Sequence, residues 1–145
     1  MYRQILVPLI RDDQPEPVLD HAAKLAQCSG AELLCLRVIT VVPSDDYFFK
    51  QIQVEEGSRA HQARTSSEAL LARITAELST RGISARGEVV ITDKTEVEAI
   101  IHSALEHGCD LIVLPNQTRA GKGRWWFNSL SEKVSRRSSL PVILV

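Results

Sequence analysis

The chain reads as an α/β protein: an open, parallel five-stranded sheet with helices on both faces. Two observations carry this. Five short apolar runs of strand length recur along the sequence, and four amphipathic stretches with a 3.6-residue period lie between them. Strands separated by helices cannot pair as hairpins, so right-handed crossovers make them parallel and set helices over both faces. The length of 145 residues, 44% of them hydrophobic and 24% charged, suits one domain over residues 1–145 with its own core.

The first strand is expected over Gln4–Ile10, with Pro8 near its end, where a missing N–H costs least. Arg11 to Pro17, with two aspartates and two prolines, reads as a loop. A helix follows on the stripe Val18, Leu19, Ala22, Ala23, Leu25 and Ala26, stopped by Gly30. Leu33–Ile39 is the second strand, and its single charge, Arg37, belongs near an end or an edge. Val41 to Gly57 reads as a long connection. Its aromatic cluster Tyr47-Phe48-Phe49 suits a lid or a contact with another subunit better than a cofactor box.

The second helix is expected from Ser58 to Thr80, on Ala60, Ala63, Ser67, Leu70, Leu71, Ile74 and Leu78, and ended by Arg81-Gly82. Glu88–Ile91 is the third strand. Thr95-Glu-Val-Glu98 has capping-box spacing and opens a third helix on Val97, Ile100, Ile101, Ala104 and Leu105, closed by Gly108. Leu111–Leu114 is the fourth strand. A last helix is expected near Ser129, where Ser129-Leu-Ser-Glu132 is a second capping-box pattern, and Ser139-Leu-Pro141 stops it. Val142–Val145 is the fifth strand.

Bulk numbers exclude several classes of function. A net charge of −1 argues against a general nucleic-acid or membrane-surface binder. No apolar run approaches the ~18 residues that cross a bilayer, and MYRQILVPLIRDD turns acidic too soon for a secretory signal, so the cytoplasm is expected. Cys28, Cys35 and Cys109 lack CxxC spacing, and His21, His61, His102 and His107 form no ligand pair, so no metal is expected. No nucleophile–base pair or carboxylate pair is placed by spacing, and no enzymatic activity is expected.

In such sheets ligands sit at the carboxyl ends of the strands, at the switch point. That gathers Pro8–Asp13, Val38–Thr40 and Pro115–Ser129 around one crevice.

The same residues resemble the universal stress protein family along essentially the whole chain. The opening ILVPLIRDDQPEPVLDHAAKLA is similar to the family's start. The match is more specific in CDLIVLP, the Arg119-Ala-Gly121 step, Asn128-Ser-Leu-Ser-Glu-Lys-Val134 and the terminal LPVILV. The resemblance implies a flavodoxin-like sheet of order 3-2-1-4-5, a homodimer and a role in stress physiology. Many members bind ATP through a glycine pattern after the fourth strand. Laid on this chain, its positions fall on Pro115, Thr118, Asn128 and Ser129, and only Ser129 matches; the family's aspartate after the first strand falls on Ile10. Asparagine tolerates the left-handed region, whereas the branched Thr118 resists it, and Pro115 removes an amide donor outright.

Two readings follow. In the first, the chain is a non-catalytic, dimeric stress-response regulator that does not bind ATP in the typical manner and works through a protein partner. No cofactor is then expected, and ATP is the one candidate. In the second, it is a nucleotide- or anion-binding stress sensor with a phosphate loop rebuilt over Arg119–Ser129. Its site would comprise Pro8, Leu9, Ile10, Val38, Pro115, Asn116, Thr118, Arg119, Gly121, Gly123, Arg124, Asn128, Ser129 and Leu130. Arg119, Lys122 and Arg124 around two glycines beside a helix N-terminus suit an anion, and they equally suit a solvated loop. Trp125-Trp126-Phe127 offers either a partner contact or a surface covered by the dimer. The dimer is expected through Pro141, Val142, Ile143, Leu144 and Val145, because an apolar edge strand needs cover.

Overall fold

A computed structural model describes residues 1–10, 16–41, 47–116 and 124–145. The elements alternate: β1 (Gln4–Pro8), α1 (Glu16–Ser29), β2 (Glu32–Thr40), α2 (Tyr47–Thr80), β3 (Ala85–Thr92), α3 (Glu96–Glu106), β4 (Leu111–Leu114), α4 (Arg124–Arg137) and β5 (Val142–Leu144). The five strands form one sheet of order β3-β2-β1-β4-β5, parallel at every pairing. This is the flavodoxin-like arrangement.

Strand alternation divides the core in two. Ile5, Val7, Leu33, Cys35, Leu111 and Val113 point to the side covered by α1 and α2, where they meet Val18, Ala22, Ala26, Leu71, Ile74 and Leu78. Leu6, Leu34, Leu36, Ile112 and Leu114 point to the other side and meet Val97, Ile100 and Ala104 of α3 and Val134 of α4. The residues of β1, β2 and β4 named here are fully buried, each side chain contributing about 1.5–3 kcal/mol of hydrophobic stabilisation. That explains why these strands read as continuous apolar runs. Asp110 fixes the start of the arrangement. Its carboxylate accepts the amides of Arg3 (2.9 Å) and Gln4 (3.2 Å), aligning β1 with β4.

α3 begins where the capping box places it. The Thr95 side chain accepts from the Glu98 amide, and the Glu98 side chain reaches back to the cap. α1 and α2 end at Gly30 and Gly82, whose φ values of +72° and +76° favour glycine. At the far end of α3, His107 bonds the Ser103 carbonyl at 2.9 Å and the Glu88 carboxylate at 2.6 Å, tying α3 to β3.

Several boundaries differ from the sequence reading; α1, for one, starts at Glu16, inside the expected 11–17 loop. β1 ends at Pro8 rather than Ile10, because a proline supplies no amide to continue the ladder. β3 starts at Ala85 rather than Glu88, since register with β2 carries Ala85, Arg86 and Gly87 despite their weak strand preference. α4 starts at Arg124, so Ser129 lies inside the helix and is not its N-cap; nothing in Arg-Trp-Trp-Phe-Asn breaks a helix after Gly123.

The largest difference is α2, which begins at Tyr47, so most of the expected 41–57 connection is helix. Lys50, Gln51, Gln53, Glu55 and Glu56 are good helix formers, and no proline interrupts them. At 34 residues, α2 is about 51 Å long, well beyond the reach of the sheet. Leu71 packs over Gly87, five residues before the end of β3 at Thr92. Those five strand residues span about 17 Å, or about eleven residues of helix. The part of α2 before residue 60 therefore stands past the carboxyl edge of the sheet. Burial agrees: Ser67 is buried, Ala60 and Ala63 half-buried, Ser58 and Arg59 exposed.

Gly87 allows the close seat of α2 on β3. A Cβ there would lie 2.7 Å from Leu71 Cβ, an atom too near the helix backbone to swing aside. Gly87→Ala should therefore cost about 1–3 kcal/mol by overpacking, read as a lowered urea midpoint. In a Leu71→Ala background most of the penalty should persist, because alanine keeps the Cβ at 2.7 Å, whereas Leu71→Gly should relieve it.

Candidate functional site

The crevice forms where β1 parts from β4, because the crossovers leave β1 toward opposite faces of the sheet. On the β2 side its wall is fixed by backbone bonds. The Leu9 amide donates to the Leu36 carbonyl at 2.7 Å, and the Leu9 carbonyl accepts from Arg37 Nη1 at 3.0 Å. Both backbone groups of the first residue past β1 are thus tied to β2. Val38 lies two residues beyond Leu36, so its own backbone groups turn to the same side, above the end of β1. The side chains of Ile10, Val38 and Leu130 converge on the core beneath α3 and α4.

Arg37 does more than mark a strand end. Glu96, at the first position of α3, is half-buried; burial raises its pKa, and the Arg37 guanidinium pulls it back down. A cation is thereby set between the β1 exit and the N-terminus of α3. Sequence reading found neither role, though a lone charge in a buried strand was the available signal.

The opposite wall is built differently. β4 ends at Leu114, and Pro115 is buried with no amide to offer. Its carbonyl accepts the hydroxyl of buried Ser131 at 3.1 Å. The next amide, of Asn116, donates to the Val145 carbonyl at 2.6 Å, extending the β4–β5 ladder. Pro115 therefore offers no N–H, and that of Asn116 is committed to β5. Phosphate sites at such strand ends rely on donors of this kind. Ser131 escaped the sequence reading because Ser129 and Glu132 accounted for the segment as a cap; its spacing of three from Val134 was the signal for an inward position.

Thr118, Arg119, Gly121 and Gly123 lie outside the described residues. Arg124, Asn128 and Ser129 belong to the first half of α4, and their side chains also lie outside the description. Of the other expected site residues, Ile10, Val38 and Leu130 pack against the core on the α3–α4 side, the Leu9 side chain lies in the core on the α1–α2 side, and Pro115 and Asn116 bond to Ser131 and Val145. Of the expected dimer residues, Pro141 is exposed, Val142, Ile143 and Val145 are half-buried, and Leu144 is 44% exposed.

Among the described residues, no group of three or more His, Cys, Asp or Glu residues could hold a metal ion. No helix among them is long and apolar enough to cross a membrane. The thiols are divided by burial. Burial pushes Cys35 up to about 12 and Cys109 up to about 11, the latter lowered by Arg86 and raised by Asp110, whereas Cys28 is exposed on α1.

Comparison with known proteins follows this geometry. The sequence model of the universal stress protein family matches residues 1–145. A Thermus aquaticus universal stress protein, named for its place in a QAH/OAS sulfhydrylase 3′ region, is 28% identical over 149 residues, covering 100% of this chain and 99% of its own. Among solved structures, universal stress protein UspA from Lactobacillus plantarum superposes with a TM-score of 0.77 at 21% identity, over 99% of this chain and 97% of that one. The universal stress protein from Archaeoglobus fulgidus in complex with dAMP gives 0.65 at 19% identity, over 99% and 97%.

The thiol pattern has a direct readout. At pH 8 roughly one part in a thousand or less of each buried thiol is thiolate. An alkylating reagent should therefore label the folded protein once, at Cys28, and all three cysteines after unfolding. The added labelling should track the unfolding transition.

Proposed function

The chain belongs to the universal stress protein family, and from that premise we propose that it is a non-catalytic regulatory dimer that works through a protein partner. Its crevice would not hold ATP in the manner usual for the family. One observation carries this reading. At the β4 exit, Pro115 has no amide and the Asn116 amide is held by Val145 at 2.6 Å, so the wall that would cradle a polyphosphate lacks its first donors.

The dimer reading draws support from β5. Among the described residues it pairs only with β4, and its outer edge carries no strand. The amide of Val145 is directed to β4, so by strand alternation those of Val142 and Leu144 face outward. Antiparallel pairing with a twin would satisfy them symmetrically. Leu144→Pro removes one outward donor and leaves the β4 ladder intact. Sedimentation velocity should show a dimer for the native chain and a monomer for the variant; a dimer in both would refute the β5 assignment.

A nucleotide sensor is the second reading, favoured by the dAMP complex of the Archaeoglobus fulgidus protein and by the basic stretch Arg119, Lys122 and Arg124. The deciding experiment denatures protein purified without nucleotide and assays the supernatant for adenine nucleotide, with calorimetric titration of Mg-ATP and dAMP in parallel. No release and no heat are expected. Released nucleotide, or a dissociation constant in the micromolar range, would establish the sensor. In that event Arg119→Ala with Arg124→Ala should weaken binding at least tenfold while leaving the unfolding transition unchanged.

A further inference from the structure

The outer edge of β3 is open. β3 runs for eight residues in unbroken register with β2 and, among the described residues, has no strand on its other side. The Leu33 amide bonds the Ser84 carbonyl and the Val41 amide bonds the Thr92 carbonyl, so even-numbered residues turn inward. Alternation then turns the backbone groups of Val89 and Ile91 outward. The stretch Val89-Val-Ile-Thr92 contains no proline, charge or bulge, the devices that usually guard an edge. Ile91 is 38% exposed.

Beside this edge lies a cavity of about 500 Å³ lined by Val90, Thr92, Lys94, Glu98, His102 and Glu106. α3 packs on β2 and α4, which leaves the face of β3 on this side partly bare. Glu98 and Glu106 sit about 12 Å apart on one flank of α3. Each has a weak intramolecular contact, Glu98 with the Thr95 amide at 3.4 Å and Glu106 with His102 at 3.6 Å. Lys94 is the one ammonium among the six, and the Glu88 carboxylate lies nearby on β3, bound to His107.

We propose that the open edge of β3 and the acidic groove beside it form a docking site for an extended, basic segment of a partner protein. Steric fit excludes a second copy. α2 sits on β3 itself, with Leu71 over Gly87. A twin strand paired at about 4.8 Å would bring its own α2 equally close, whereas packed helices need about 8–10 Å between axes. A strand without a covering helix has room. Basic residues four apart on that strand, about 13 Å, match the spacing of Glu98 and Glu106. The proposal rests on the regulator reading and names the chemistry of its partner.

The test uses two labelled octapeptides of Val and Thr, one with lysine and the other with glutamate at the second and sixth positions. Fluorescence anisotropy should show binding of the lysine peptide and at least tenfold weaker binding of the other. Ile91→Pro removes an outward amide without touching the β2 ladder, and should weaken the lysine peptide at least tenfold. Glu106→Lys, which leaves β3 untouched, should weaken it three- to tenfold. Hydrogen exchange at Val89 and Ile91 should slow when the lysine peptide is added. No binding of either peptide at millimolar concentration, or equal binding of both with no effect of either variant, would overturn the proposal. Protection of those amides that rises with protein concentration alone would also overturn it, by showing that a second copy covers the edge. Nucleotide calorimetry is independent of all three, so failure here would leave the regulator reading standing.

Discussion

The structure depends on β1 being hydrogen-bonded on both sides, to β2 over its whole length and to β4 at Ile5 and Leu6. A central parallel strand must be apolar on both faces, and Ile5, Leu6 and Val7 are. Because the chain leaves β1 one way and returns to its other side later, the two halves of the sheet open at its carboxyl end. The crevice is a consequence of that topology and precedes any choice of ligand. What the crevice can do is set by the next residues along each wall.

Those walls have been specialised unequally. On the β2 side, Arg37 and the Leu36 carbonyl hold Leu9 at both its backbone groups. On the β4 side, the chain has spent its donors on itself: Ser131 on the Pro115 carbonyl, Asn116 on Val145. A buried hydroxyl without an acceptor costs about 1–3 kcal/mol, so Ser131 binds the loop entry to α4 and stabilises the exit in its present path. An anion approaching the described part of this wall meets a proline ring and a committed amide.

The fold was legible because its signals are local. The α3 capping box and the four-residue β4 run depend on spacing alone, and both lie where spacing puts them. The misread segments had competing local signals. Aromatics and acidic residues near Tyr47 look like a loop, yet the helix formers behind them extend α2. Ser129 and Glu132 satisfy a capping pattern, yet the helix already has a start upstream. The site was half legible. Pro115 announces a missing amide by its identity, whereas the loss of the Asn116 amide depends on where β5 ends, a distance no local pattern encodes. The contact between Arg37 and Leu9 likewise joins residues 28 positions apart in sequence.

The absent side chain at Gly87 has one more consequence, best put in the language of polymerisation. A sheet with two open, mutually compatible edges is a bifunctional monomer, and bifunctional monomers grow into chains without limit. By letting α2 settle onto β3, Gly87 would, on the steric argument proposed above, disable one of the two ends toward its own kind. If β5 pairs with its twin as proposed, a molecule so disabled is monofunctional toward itself, and growth by edge pairing ends at two. A missing methyl group acts here as a chain terminator.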